Sequence, residues 1–223
     1  MSVKLISWSQ PSLALKQEGI DSAQDLIAYC ARVSNPGNQF NNETSEKLIK
    51  YLVKHKHWSP LEMASATLEI ETTRDIARQI LRHRSFSFQE FSQRYANPAD
   101  MGDMFQYREA RLQDEKNRQN SIDVNDAELE KAWTMKQQMI MHEAKIAYNW
   151  AIENGIAKEQ ARAVLPEGLT KSRLYMNGTL RSWVHFIELR SANGTQKEHM
   201  QIARECSQVI SRILPLIETF LEE

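Results

Sequence analysis

The chain has 223 residues, enough for one domain with a real core or a tightly fused pair. A hydrophobic fraction of 41% and a charged fraction of 26% are ordinary for a globular protein. Lys+Arg 28 against Asp+Glu 29 leaves a net charge of -1, which excludes bulk attraction to nucleic acid or anionic membrane; an anion site must come from local clustering. No apolar run is long enough to span a bilayer, and the opening Met-Ser-Val-Lys-Leu-Ile-Ser lacks a secretory signal's apolar core. Cys30 and Cys206 show no metal or redox spacing, so a reducing, cytoplasmic setting is expected.

In chain order, Val3 to Trp8 alternates as a first strand. Asp21 and Ser22 can cap a helix through Ala31, with Leu26, Ile27 and Cys30 inward, before Asn35-Pro36-Gly37-Asn38 breaks the chain. Thr44 or Ser45 opens a second helix that turns Leu48, Ile49, Leu52 and Val53 to one side and stops before Pro60. Ala66, Leu68 and Ile70 alternate with Thr67, Glu69 and Glu71 as a half-buried strand. Thr72 or Thr73 then caps a helix whose exposed face carries Arg74, Arg78 and Arg82, with Ile76, Ala77, Ile80 and Leu81 inward.

Residues 97–125 are polar and aperiodic, and read as a flexible surface loop or an insertion that orders on binding. From Asp126 a long amphipathic helix puts Leu129, Trp133, Ile140, Ala147 and Trp150 on its apolar side and stops at Asn154-Gly155. A short helix from Lys158 ends at Pro166, Arg173 to Met176 is expected as a strand, and Leu180 to Arg190 as a helix. Thr195-Gln196-Lys197-Glu198 has the form of a capping box for a last helix that carries Ile210, Ile213, Leu214, Ile217 and Leu221 inward despite Pro215. The mix reads as α+β and mostly helical, a single domain over 1–223 without the strand–helix alternation of a parallel sheet.

The chemistry concentrates in Arg82-His83-Arg84-Ser85-Phe86-Ser87-Phe88-Gln89-Glu90-Phe91-Ser92-Gln93-Arg94. Guanidinium forks suit phosphate and imide oxygens, and serine hydroxyls add donors, so the run suits an anionic, planar ligand. Spacing alone also allows a solvated arginine face balanced by Glu69, Glu71 and Asp75. His55 and His57, two residues apart, do not share a helix face, and no metal is expected. Arg181 and His185 share a face, with Arg190 at the helix end. No nucleophile elbow, Walker-type loop or dinucleotide fingerprint exists, and neither cysteine has a base nearby in sequence. The difficult step of any enzyme built on this chain falls to a cofactor.

Arg82-His83-Arg84, seven residues, then Ser92-Gln93-Arg94 resembles the Arg-His-Arg, seven residues, Ser-x-Arg motif of flavin-dependent thymidylate synthases. Ala31-Arg32-Val33-Ser34, His57-Trp58-Ser59-Pro60-Leu61-Glu62, Ala77-Arg78-Gln79, Ala161-Arg162-Ala163-Val164-Leu165-Pro166 and Leu180-Arg181-Ser182-Trp183 with Arg190 extend the likeness. The resemblance implies an α+β fold, mostly helical with a small, largely antiparallel sheet, in a homotetramer with active sites between subunits. It implies synthesis of dTMP from dUMP, with methylenetetrahydrofolate as carbon donor, FAD as hydride carrier and NADPH as reductant. Ser34, Ser59, Arg82, His83, Arg84, Gln89, Glu90 and, from another subunit, Arg181 and His185 would then contact FAD. Gln79, Arg82, Glu90, Ser92, Gln93, Arg94, Arg162 and Arg190 would hold dUMP, the Ser92 and Arg94 end taking its phosphate. Arg190 matches an arginine that activates the uracil ring, and His57 one associated with folate positioning.

The chain departs from the family's usual pattern at Gln89, Gln93 and Gly194; Thr195, Gln196 and Glu198 stand near the last. Two rival readings stay open. One is a non-catalytic nucleotide or RNA binder stacking bases on Phe86, Phe88 and Phe91; the other is a helical scaffold with a paired arginine face.

Overall fold

The computed structural model describes residues 1–221, with side chains through 218, so the inward packing expected of Leu221 lies outside the described side chains. Strands form at β1 (Ser2–Trp8), β2 (Ser65–Thr73), β3 (Ser87–Glu90), β4 (Arg111–Gln113), β5 (Ser121–Asp123) and β6 (Lys171–Thr179). The main sheet runs β1-β2-β6-β3 with every neighbour antiparallel, while β4 and β5 make a separate hairpin. Register places Leu68 opposite Met176 and Ile70 opposite Leu174, so one face of the sheet is apolar and buried. The other face is a polar ladder: Lys4 pairs with Glu69 at 3.2 Å, Tyr175 donates to Glu69 at 2.9 Å and Asn177 to Thr67 at 2.7 Å.

The helices are α1 (Leu13–Gln17), α2 (Ala23–Ala31), α3 (Ser45–Lys54), α4 (Arg74–Ile80), α5 (Ala127–Glu153), α6 (Lys158–Ala161), α7 (Leu180–Ser191) and α8 (Lys197–Ile210). Ser22 and Asp25 form a reciprocal capping box at α2, and Asp126 caps α5 by accepting from the Glu128 and Leu129 amides, both at 3.0 Å. The core fills the space between the apolar sheet face and α2, α3, α4, α7 and α8, where Ile27, Ile49, Ile76, Trp183, Phe186, Ile202 and Cys206 are buried. The fold is α+β with a small antiparallel sheet, as expected.

Several local expectations need correcting. The apolar side assigned to α5 is its exposed side: Leu129, Trp133, Ile140 and Trp150 face outward, and Gln137, Met141, Ala144, Tyr148 and Ala151 are buried. The buried stripe is narrow because α5 packs on a small satellite core with Met104 and Ala161 rather than on the sheet. Thr195 to Glu198 makes no capping box; α8 starts after Gln196, which makes no side-chain cap, and Glu198 is turned to arginines instead. The last helix does not run through Pro215. It stops at Ile210 and a 3₁₀ turn, Pro215–Leu221, follows, because proline lacks the amide a continuing helix requires. Ile213, Leu214 and Ile217 are nevertheless buried.

Residues 97–125 hold a 3₁₀ turn, Pro98–Met101, and the β4–β5 hairpin. They are tied down at Arg108, whose amide donates to Gln137 at 2.8 Å and whose carbonyl accepts from Gln137 and Trp133 at 2.9 and 3.0 Å.

Candidate active site

α4 is short because its apolar residues Ile76, Ala77 and Ile80 reach the core within two turns, after which the chain must return to the sheet. It does so through Arg82-His83-Arg84. The Arg82 and His83 amides bond back to Gln79 and Ile80 carbonyls at 3.4 and 3.0 Å, and buried Phe86 then plugs the turn into the core. Gly178 on β6 makes room for that ring: a Cβ there would lie 2.4 Å from Phe86 Cδ1. The middle of the motif is thereby an edge strand, β3, which the aperiodic sequence did not suggest. Alternation sends Gln89, paired with Tyr175, to the polar face and Glu90, paired with Leu174, to the opposite one.

α7 carries the next group. Thr179 caps it by accepting from the Ser182 amide at 3.2 Å, and Trp183 anchors it through a 3.1 Å bond to the Ala66 carbonyl. Its last turn brings Arg190 to the α4 turn, where Arg190 Nε donates to His83 Nε2 at 2.9 Å. Burial and the Arg190 charge push the His83 imidazole down to about 4, so it is neutral and can accept. Burial and neighbouring Arg82 also lower Arg190 from the usual guanidinium value. Among the described residues, Arg82, Arg84, Arg162 and Arg190 pair with no carboxylate. Repelling cations kept without a protein counter-ion make a site for an anionic or oxygen-rich ligand.

A second group surrounds Glu90. Arg74 lies 3.6 Å from it, Ser172 donates to it at 2.8 Å, and Arg162 is close enough to depress Arg74 further, after burial and against Glu90's opposing pull. Arg94 sits nearby on Glu159 at 3.5 Å, and Arg162 Nε donates to the Glu159 carbonyl at 3.3 Å. Ser92 is half-buried, whereas Gln93 is buried with Nε2 lacking a partner among the described residues.

The third group forms at the other end of α7. His185 packs edge-on against Trp58 at 4.6 Å, and Arg181 pairs with Glu62 from the same Trp58–Glu62 segment. His57 is aimed by its backbone: Lys56 adopts φ 58, which lets the His57 amide reach the Leu52 carbonyl at 2.8 Å and ends α3. His57 and Ser59 are exposed. Ser34 is exposed just beyond α2, while neighbouring Arg32 is structural, binding Thr44 at 2.8 Å and the Asn41 carbonyl.

Sequence reasoning missed a buried polar chain beside Arg190. Glu198 is gripped by Arg108 at 3.1 Å and by Arg111, and Arg108 also holds Asp75 at 2.7 Å. Burial alone would raise the Glu198 carboxyl; the Arg111 bond, the Arg108 charge, its own amide and Gln196 outweigh it and hold Glu198 at about 2. Gln196 Nε2 donates to Glu198 at 2.9 Å, Gln79 Nε2 donates to Gln196 at 2.8 Å, and His199 Nδ1 lies 3.3 Å from Gln79 Oε1. Arginines in an aperiodic segment opposite an acidic helix start were the one available signal.

The rival readings lose their footing here. Phe86 is 9% exposed and packs on Trp183 at 4.8 Å, so it cannot stack on bases. On the α4 face Arg74 and Arg78 pair with Glu90 and Glu167, whereas Arg82 and Arg84 pair with no carboxylate among the described residues. Neither cysteine is poised for attack: burial raises both thiols. Among the described residues no cluster of His, Cys, Asp or Glu could hold a metal ion, and no helix is long and apolar enough to cross a membrane.

Residues 18–216 match the family model described as thymidylate synthase complementing protein. A probable flavin-dependent thymidylate synthase of Paramecium bursaria Chlorella virus 1 is 49% identical over 222 residues, covering 100% of this chain and 99% of the relative. A flavin-dependent thymidylate synthase of Synechocystis sp. is 44% identical, covering 100% of each chain. The crystal structure of a UMP/dUMP methylase, PolB from Streptomyces cacaoi bound with 5-Br dUMP, superposes with TM-score 0.79 at 25% identity, covering 98% of this chain and 93% of that one. The chain belongs to the flavin-dependent thymidylate synthase family.

Proposed function

We propose that this protein makes dTMP from dUMP by reductive methylation, using FAD, NADPH and methylenetetrahydrofolate. The observation that carries the reading is the approach of Arg82 to Arg190 beside neutral His83, with no carboxylate to compensate them among the described residues. A ligand with carbonyl and phosphate oxygens supplies what is missing. Arg190 spends Nε on His83, which leaves its two terminal nitrogens for a uracil oxygen and the negative charge that ring methylation develops there. Gln79, Arg82, Glu90, Ser92, Gln93, Arg94 and Arg162 hold the rest of dUMP. Arg94 exchanges its loose 3.5 Å contact with Glu159 for the phosphate.

The donor set suits a flavin. Ser34, Ser59, Arg84 and Gln89 are exposed, and Arg84 has no carboxylate partner among the described residues. With Arg82, His83, Glu90, Arg181 and His185 they are the residues that would hold FAD. Bound there and reduced by NADPH, FAD would supply the hydride that reduces the folate-derived methylene, once joined to uracil C5, to a methyl group. His57 positions that folate. Arg181 and Arg190 stand about 13 Å apart along α7, nine residues at 1.5 Å each. That separation supports sites shared between copies in a homotetramer, as do the exposed apolar residues of α5. Two unpaired thiols suit a reducing cytoplasm.

Purified protein given NADPH, the folate and dUMP tritiated at C5 is expected to release tritium only with FAD present. Absence of release with every component supplied would overturn the reading.

A further inference from the structure

The polar chain between α4 and α8 has a direction, and one charged group sets it. Glu198 is ionised and therefore only accepts. Gln196 lies 2.9 Å from Glu198 Oε2 and must turn its NH₂ group there, because its carbonyl would face the carboxylate oxygen to oxygen. Its carbonyl then faces Gln79, at 2.8 Å, and accepts a hydrogen bond from the Gln79 NH₂ group. The Gln79 carbonyl is left for His199 Nδ1, at 3.3 Å, which has to carry the proton. Flipping either glutamine breaks the bond on each side of it.

We propose that Gln196 and His199 are positioning residues that lock the amide of Gln79 in one orientation, with His199 as the neutral Nδ1–H tautomer. Both ends of the Gln79 side chain are thereby held from α8, leaving one N–H and one lone pair for the substrate. His199 is fully buried, and its Nε2 has no hydrogen-bond partner among the described residues. That is the atom the Nδ1–H tautomer leaves bare. The ring is set by Phe186 at 5.7 Å and His83 at 6.2 Å, so it is wedged rather than free to turn. The arrangement also explains why the start of α8 forgoes a capping box: Gln196 and Glu198 are used in the chain to Gln79.

The inference rests on Gln79 touching dUMP, and the test separates the two ideas. Affinity of FAD-loaded enzyme for dUMP is measured by calorimetry. His199→Leu is expected to weaken dUMP binding about tenfold, the worth of one well-placed hydrogen bond, with flavin content unchanged. His199→Asn, whose amide N–H can stand in for Nδ1–H, is expected to recover binding to within about threefold. Gln196→Leu reads the chain from its other end and gives the same loss, should His199→Leu fail to fold. In a Gln79→Ala background neither substitution is expected to weaken dUMP binding further. Full additivity, or wild-type affinity in both single variants while Gln79→Ala binds poorly, overturns the positioning role alone. Wild-type affinity in Gln79→Ala overturns the substrate contact and the positioning role with it.

Discussion

Arg190 Nε donates to His83 Nε2 at 2.9 Å, and this one bond ties the end of α7 to the turn after α4. A guanidinium held through Nε by a neutral ring keeps its plane and its remaining donors fixed before substrate arrives. Lysine has no such fork. Arg190→Lys is therefore expected to lower kcat about a hundredfold or more, in the range of losing an oxyanion donor, while dUMP affinity falls far less. Single-turnover kinetics beside a binding titration check it. An affinity loss as large as the rate loss would make Arg190 a binding residue only.

Acid should weaken the protein over two overlapping pH ranges whose order follows from the buried groups. His83 and His199 stand at about 4 and about 3, below the ordinary 6.5, through burial first and neighbouring charge second. The unfolded chain therefore takes up these protons first as pH falls. Stability from the neutral rings is complete above about 6.5 and is lost progressively as pH falls from there to about 4 for His83 and about 3 for His199. Glu198, held at about 2 against 4.5, adds stability that is present above 4.5 and lost as pH falls through 2. The urea midpoint is expected to fall between pH 7.5 and pH 5, before any carboxylate contributes much. A flat midpoint over that interval would contradict the buried, neutral imidazoles.

What could be read from the sequence, and what could not, divides along physical lines. Strand alternation at Ala66, Leu68 and Ile70 and the helix around Ile76, Ala77 and Ile80 were legible because each buries one regular face. The motif from Arg82 to Arg94 was legible as chemistry but not as structure, since β3 is an edge strand whose residues pair with β6 and owe nothing to local periodicity. The α5 face was misread because hydrophobicity marks surface that is to be covered, without saying by what. The Gln79–Gln196–Glu198 chain joins residues more than a hundred positions apart, and Thr195 to Glu198 imitated a helix cap. Only the folded register brings Arg108 and Arg111 to Glu198.

Gly178→Ala tests how tightly the motif turn is fitted. The added Cβ would stand 2.4 Å from Phe86 Cδ1 and 2.5 Å from Cε1, and Phe86 is itself wedged against Trp183. Overpacking of this kind costs about 1–3 kcal/mol, and relief requires Phe86, and with it β3, to move. Gly37→Ala is the matched control, because nothing lies within 4 Å of a Cβ there. The Gly178 variant is expected to melt several degrees lower and to bind dUMP less well, with Gly37→Ala close to wild type. Equal melting temperatures would mean the turn yields without cost.

The outward face of α5 gives the assembly its test. Leu129, Trp133, Ile140 and Trp150 are 42%, 41%, 52% and 59% exposed in the single chain, and Met139 and Ile146 join them. Large apolar side chains exposed together along one helix are the kind of surface that marks an interaction site. A homotetramer with sites between copies would cover it and would bring the Arg181 and His185 end of one α7 toward the Arg190 end of another. Ile140→Asp places a charge on that face without touching the core, since Ile140 is not among the buried residues of α5. Sedimentation velocity is expected to show a smaller species whose helical content is unchanged. Activity should then fall as the enzyme is diluted and return on concentration, because mass action rebuilds the shared sites. An Ile140→Asp protein that sediments as wild type would remove this face from the interface.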